Sequence, residues 1–175
     1  MKLSKVATAS LLLAACFAAR ASAQTTWAGM QFGMTPDDVK RVFRQPMHVA
    51  TGTEIVRDFP LTLVADGPVT IQRRINVTPK FSFDSSKRLQ LIGLYSQRDD
   101  SYLNLEVARH LLEALAGKYG VPVEQTAPCA TEDPGRICRS TWRWEGQHIT
   151  LGFRSKQDLS LEFLFLFYEA NPTDI

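Results

Sequence analysis

The sequence is poor in the side chains that most often bind metals or act as nucleophiles. Its 175 residues include three histidines and three cysteines. The histidines fall in a predicted loop, helix and strand, and no two have the spacing of a metal site; they are His48, His110 and His148. A G-x-S-x-G motif is also missing, which removes the commonest signature of a serine hydrolase. We therefore predict a protein with no metal, no cofactor and no catalytic site.

The sequence also lacks an apolar run long enough to cross a membrane. Its longest run covers residues 6–19, whereas a transmembrane helix needs about 20 apolar residues. Lys2 and Lys5 precede this run, and an A-x-A cleavage site follows it at residues 21–23. We interpret residues 1–23 as a signal peptide and residues 24–175 as one exported domain, periplasmic or secreted. The alternative is a lipobox at residues 13–16, which would make Cys16 the lipidated first residue of a membrane-anchored lipoprotein.

Without this leader, the chain has no marked excess of positive charge. Residues 1–23 hold three of the 20 basic residues and none of the 18 acidic ones, so the remaining chain has a formal net charge of −1. The composition therefore gives no electrostatic reason to expect nucleic acid or an anionic lipid surface as a partner.

Two cysteines remain in the exported chain, Cys129 and Cys138, on either side of a turn-rich loop. In an oxidising compartment this pair predicts a disulfide. The alternative, a metal pair, would require further Cys or His ligands within the loop, and the loop has none.

Two helices are indicated. Thr35 caps the first, Pro36 takes its first position and Gln45-Pro46 ends it. Apolar residues at three- and four-residue spacing predict the second helix over residues 103–119, with Asn104 or Ser101 as its cap.

Strand-type runs occupy the rest of the chain. Before the second helix they cover residues 55–59, 61–64, 69–77, 81–83 and 89–95. The last two form a hairpin, and a loop of three or five residues would place Phe81, Phe83, Leu89 and Leu91 on one face. Antiparallel strands with helices on one face predict an α+β fold. The sequence leaves open whether residues 33–97 and 101–170 are duplicated halves.

A second hairpin turns at Glu145-Gly146. Its register places Trp142, Trp144, Ile149, Leu151 and Phe153 on one face, and Thr141, Arg143, His148, Thr150 and Arg154 on the other.

Residues 159–168 form the most apolar strand in the chain. Alternation predicts that Leu159, Leu161, Phe163, Phe165 and Phe167 face the core. For these residues to share a face with the core side of the preceding hairpin, the connecting loop must have an odd number of residues. The resulting register places Phe153 opposite Leu159, Thr150 opposite Glu162 and His148 opposite Leu164.

The reverse side of this strand provides the candidate contact surface. It ends in Leu164, Leu166 and Tyr168, which this register places beside His148 and Arg143. Monomeric proteins seldom leave such an apolar patch uncovered, so we expect the first-half strands or the residues before Thr35 to cover it. The alternative is that this end of the sheet is the surface that binds a partner.

Residues 33–39 (Gly-Met-Thr-Pro-Asp-Asp-Val), followed by Phe43 and Pro46, resemble the G-M-T-x-x-x-V-x-x-x-L-G-x-P signature of the SmpA/OmlA (BamE-like) envelope proteins. The order of helices and strands is also similar to that of the β-lactamase-inhibitor-protein fold. These resemblances imply a small α+β envelope protein that works by contact. The expected function is therefore non-catalytic binding or stabilisation of another cell-envelope protein. Alternatives are an inhibitor, a ligand-binding module, or a hydrolase whose carboxylates converge only on folding.

Overall fold

The computed structural model describes residues 26–72, 74–96, 103–126 and 137–171. These residues form an antiparallel sheet of nine strands and two α-helices, which confirms the predicted α+β class. The helices are α1 (Pro36–Phe43) and α2 (Leu105–Tyr119), and the strands are β1 (Met47–Val49), β2 (Leu61–Ala65), β3 (Val69–Ile71), β4 (Ile75–Phe83), β5 (Leu89–Ser96), β6 (Glu124–Gln125), β7 (Ile137–Trp144), β8 (Gln147–Ser155) and β9 (Leu161–Ala170).

The strand order is symmetrical about the middle of the sheet. It runs β1-β2-β4-β5-β9-β8-β7-β6, with β3 added beside β4. Each half is therefore a helix followed by a meander, and the last strands of the two halves, β5 and β9, pair with each other. This arrangement is compatible with the two halves predicted from the sequence, and a duplication stays a prediction.

Both helices begin directly after a predicted cap residue. The Thr35 hydroxyl accepts a hydrogen bond from the Asp38 amide, and the Asp38 carboxylate accepts one from the Thr35 amide. This reciprocal capping box satisfies amides that the first turn of a helix leaves unpaired. Asn104 caps α2 through the amide of Val107, so the helix starts at Leu105, two residues later than predicted.

The strands of the first half differ from the prediction in several places. Residues 55–59 are not a strand, because the chain there follows a short 3₁₀ turn (Gly52–Glu54) and leaves the sheet. The predicted run 69–77 is divided between β3 and β4, and β4 continues through Pro79, so residues 81–83 are not a separate strand. The strand β1 was not predicted.

A β-bulge follows the loop of each central hairpin. In the first hairpin Phe83 pairs with Leu89 across five residues, as predicted, but the next pair is Ser82 with Leu91. In the last hairpin Ser155 pairs with Leu161, again across five residues, and the next pair is Arg154 with Phe163. The extra residue on the second strand of each hairpin reverses the inside–outside alternation beyond it.

The two bulges correct two predictions. Leu91 lies on the opposite face from Phe81, Phe83 and Leu89. In the last hairpin, Phe153 pairs with Leu164 and Thr150 with Phe167, not with Leu159 and Glu162. Leu161, which precedes the bulge, is buried in the core as predicted, and Leu159 lies in the loop, 44% exposed. Beyond the bulge, Phe163, Phe165 and Phe167 lie on the face opposite to the one predicted.

We call the side of the sheet that carries both helices the helix face and the other side the open face. Trp27 and Phe43 pack on Phe81 of the helix face. The core between sheet and helices contains fully buried side chains of every central strand, among them Phe81, Leu94, Trp142, Ile149, Leu151, Leu164 and Leu166. The two-residue turn at Glu145-Gly146 and its predicted pairs, Trp142 with Ile149 and Ser140 with Leu151, are confirmed.

Three expectations concern residues outside the described part of the chain. The leader (residues 1–23), with the alternative lipid site Cys16, stays a prediction. Cys138 is buried on β7, but Cys129 lies outside the described residues, so the disulfide also stays a prediction. Within the described residues no helix is long and apolar enough to cross a membrane.

Candidate contact surface on the open face

The predicted contact residues do not lie together. Leu164, Leu166 and Tyr168 are exposed by only 1%, 2% and 6% and belong to the core of the helix face. His148 and Arg143 pair with each other on the open face, on the other side of the sheet. The predicted surface is therefore wrong, because the bulge between Arg154 and Ser155 reverses which side of β9 each residue occupies.

The side of β9 expected to be buried carries an aromatic surface instead. Phe163, Phe165 and Phe167 lie on the open face, half-buried, with their rings stacked along the strand. The ring centroids are 6.1 Å apart between Phe163 and Phe165 and 4.5 Å apart between Phe165 and Phe167. We call these three residues the phenylalanine ladder. Tyr95 of β5 extends it sideways, with its ring 5.5 Å from that of Phe167.

Two glycines make room for these rings. Gly152 of β8 pairs with Phe165, and a Cβ atom at Gly152 would lie 2.2 Å from Phe165 Cζ. A Cβ atom at Gly93 of β5 would lie 2.7 Å from Tyr95 Cε2. A glycine inside a strand often marks the close approach of another group. Here each glycine lets an aromatic ring lean over its strand.

Cations lie at both ends of the ladder and beside it. The guanidinium of Arg154 is 5.4 Å from the ring centroid of Phe163, and that of Arg57 is 6.0 Å from the centroid of Phe167. Lys80 Nζ lies 4.9 Å from the ring of Tyr95. Cations at such distances are attracted by the negative ring face. Burial lowers the pKa of Lys80, partly offset by the nearby Glu54 carboxylate, and burial raises that of the Tyr95 phenol.

The open face has more positive than negative charge. Two of its carboxylates are already paired, Glu169 with Arg57 and Glu162 with Arg154, and a third, Glu124 of β6, lies opposite Thr141. Arg139 and Arg143 of β7 lie on the same face, exposed, and make no ion pair with any described residue. The surface can therefore attract carboxylates without losing an internal ion pair.

The first half of the open face is covered by residues 50–60, which we call the cover segment. Val56 of this segment is 7% exposed, and Leu91 of the sheet is fully buried. Lys80 Nζ donates a hydrogen bond of 2.9 Å to the Glu54 carbonyl oxygen, and Arg57 pairs with Glu169. The segment thus covers the open face as far as the edge of the phenylalanine ladder.

A histidine between two carboxylates holds the cover segment to the sheet. His48 Nδ1 lies 2.6 Å from Asp66 Oδ1, and its Nε2 lies 3.2 Å from Glu54 Oε2. Hydrogen bonds to Asp66 and then to Glu54 raise the pKa of His48. The pKa of Glu54 is lowered, first by the Thr51 amide and then by His48.

No catalytic or metal-binding arrangement accompanies this surface in the described residues. Within them, no group of three His, Cys, Asp or Glu side chains could hold a metal ion. The described carboxyl groups with shifted pKa values are Asp38, Glu54 and Asp158, and all three are lowered by hydrogen bonds. A general acid would need a raised pKa.

One sequence signal could have identified the open face. Residues 163–168 are apolar without interruption, and a strand of that kind contacts apolar groups on both faces. Gly93 and Gly152, each inside an otherwise bulky strand, indicate close approach. Alternation alone could not decide which side of β9 faces the helices.

Comparison with known proteins identifies no family for this chain. No protein-family model matches it, and no curated protein does so. Among solved structures it is similar to the crystal structure of a DUF4309 family protein (YjgB) from Bacillus subtilis, with 14% sequence identity, 78% of each chain covered and a TM-score of 0.34. At that level the similarity assigns neither a family nor a function, and the SmpA/OmlA resemblance stays a prediction.

Proposed function

We propose that this chain is an exported, non-catalytic protein that binds another protein of the cell envelope through its open face. The observation that carries the proposal is the half-exposed phenylalanine ladder with arginines at both ends. Aromatic residues and arginine are enriched among the side chains that dominate binding energy in protein interfaces.

The charge of the open face specifies the partner further. Arg139 and Arg143 have no carboxylate partner among the described residues, so the bound protein should present acidic side chains around an apolar centre. A second copy docked by the same face would bring together two faces with an excess of positive charge, which disfavours a symmetric dimer through this surface.

Capture from the native envelope with matched variants tests the proposal. Phe165→Glu places a charge in the centre of the ladder, and Val121→Glu makes the same kind of change at a position 87% exposed. Both proteins should fold, because neither residue lies in the core between helices and sheet. Each tagged protein is cross-linked in its native envelope, and the captured proteins are quantified by mass spectrometry.

We expect one set of proteins to be captured by wild type and Val121→Glu and lost with Phe165→Glu. Arg143→Gln should reduce the same capture several-fold, and added salt should weaken it, because exposed charge pairs are screened. Equal capture by Phe165→Glu and wild type would rule out the open face as the contact surface.

A further inference from the structure

A crevice on the helix face runs along α2, on the opposite side of the sheet from the phenylalanine ladder. One part has a volume of about 280 Å³ and lies between α2, Trp27 and the central strands β5 and β9. A second part of about 240 Å³ continues beside the β3–β4 turn. Gln72 and Leu111 line both parts, so the two parts adjoin each other.

The floor of this crevice is apolar and belongs to the strands where the two halves meet. It includes Leu94 of β5 and Leu166 of β9, with Leu115 of α2 as part of the wall. Small-molecule sites are typically clefts of about 300–1,000 Å³, mostly apolar and with few polar groups. The larger part lies just below that range, which suits a ligand with a short apolar body.

Two tyrosine hydroxyls provide polar groups at the end of the crevice. Tyr119 and Tyr168 both line it. Burial raises the pKa of Tyr168, and a hydrogen bond with Tyr119 raises it further. A phenol is neutral at physiological pH even without such a shift, so Tyr168 can donate a hydrogen bond there.

The charged side chains that line the crevice in the described residues are all basic. Lys118 lines the larger part, and Arg74 and His110 line the smaller one. The ring nitrogens of His110 lie 3.6 and 3.4 Å from the carboxylates of Glu106 and Glu113 on its own helix. Lys118 and Arg74 form no ion pair with any described residue, so both cations are available to an anionic group.

We infer that this crevice binds a small amphipathic carboxylate, a compound with a short alkyl or aromatic body and one anionic group. The apolar body lies on Leu94 and Leu166, and the carboxylate meets the Lys118 ammonium group. This site is separate from the proposed contact surface, because the two lie on opposite faces of the sheet.

Titration with decanoate tests the inference, with decanol and decyltrimethylammonium as neutral and cationic probes of the same chain length. Ala114→Phe should block the crevice, because Ala114 is an exposed residue of α2 that lines it. Ala116→Phe makes the same change on α2 at a position that lines neither part. Lys118→Gln removes the charge of the ammonium group. Binding is measured by calorimetry on the full exported chain, below the micelle concentration of each probe.

We expect decanoate to bind at least tenfold more tightly than decanol, and decyltrimethylammonium to show no binding. Ala114→Phe should weaken decanoate binding at least tenfold, whereas Ala116→Phe should change it less than twofold. Lys118→Gln should bring decanoate to the affinity of decanol. Equal binding of all three probes, no binding of decanoate, or an unchanged affinity in Ala114→Phe would overturn the inference. None of these results depends on partner capture by the open face.

Discussion

The two central strands, β5 and β9, occupy equivalent places in the two halves of the molecule and have opposite surroundings on the open face. Each follows a five-residue loop and a bulge, and each has leucines on the helix face, Leu94 and Leu166. On the open face, Leu91 of β5 is fully buried near the cover segment. Its counterpart on β9, Phe163, is half-exposed. The same hairpin geometry therefore yields a covered surface in one half and an aromatic contact surface in the other.

The largest effect should come from the helix face, where the two halves are alike. Leu166→Ala and Leu94→Ala each leave a cavity in the core, and each should lower the free energy of unfolding by about 2–5 kcal/mol. Urea denaturation of the two variants measures this. A loss below about 1 kcal/mol for Leu166→Ala would mean that β9 does not face the helices as described.

The next prediction compares the open-face residues of the two halves. Leu91→Ala should cost about 2–5 kcal/mol, because Leu91 is fully buried. Phe163→Ala should cost less, about 1–2 kcal/mol, since its ring is only partly buried and part of its apolar area stays in water on folding. Equal losses in urea denaturation would contradict the difference between the two open-face surfaces.

A smaller effect should come from the glycines beneath the rings. Gly152→Ala forces the Phe165 ring away from β8 and should destabilise the protein by about 1–3 kcal/mol. Gly67→Ala is the matched control, because a Cβ atom there meets nothing within 4 Å. A double-mutant cycle with Phe165→Leu should recover most of the loss, since the two residues are in contact. Full additivity would show that the ring does not lie over Gly152.

The smallest effect should be the pH dependence of the cover segment. The pKa of His48 is raised in the folded protein, so its contribution to stability is present below its unfolded pKa of about 6.5 and is lost as the pH rises through the raised value. The pKa of Glu54 is lowered, so its contribution is lost as the pH falls through that lowered value.

Hydrogen exchange of residues 50–60 between pH 5.5 and 8.5, corrected for the intrinsic rate, measures how the His48 contribution to stability changes with pH. Protection should decrease with rising pH in wild type and stay constant in His48→Gln. The same pH dependence in both proteins would exclude His48 as the titrating group, leaving Lys80 and the carboxylates around it as candidates.

The sequence by itself determined the local parts of this structure. Thr35 and Asn104 cap their helices through contacts within a few residues, and Glu145-Gly146 turns the strands that carry Trp142 and Ile149. Local alternation also limited the loop between Phe83 and Leu89 to three or five residues, and the structure has five. Such features depend on neighbouring residues, so they can be read before the fold is known.

Only the tertiary structure decided which side of β9 faces the helices. Both sides of that strand are apolar beyond Glu162, so burying either side removes a similar apolar area from water, and alternation cannot distinguish them. The bulge at Arg154 and Ser155 sets the register, and Gly93 and Gly152 on the neighbouring strands provide the space that the aromatic rings occupy. Leu164, Leu166 and Tyr168 thus became core, and Phe163, Phe165 and Phe167 became surface, because packing between strands distant in sequence fixed the register.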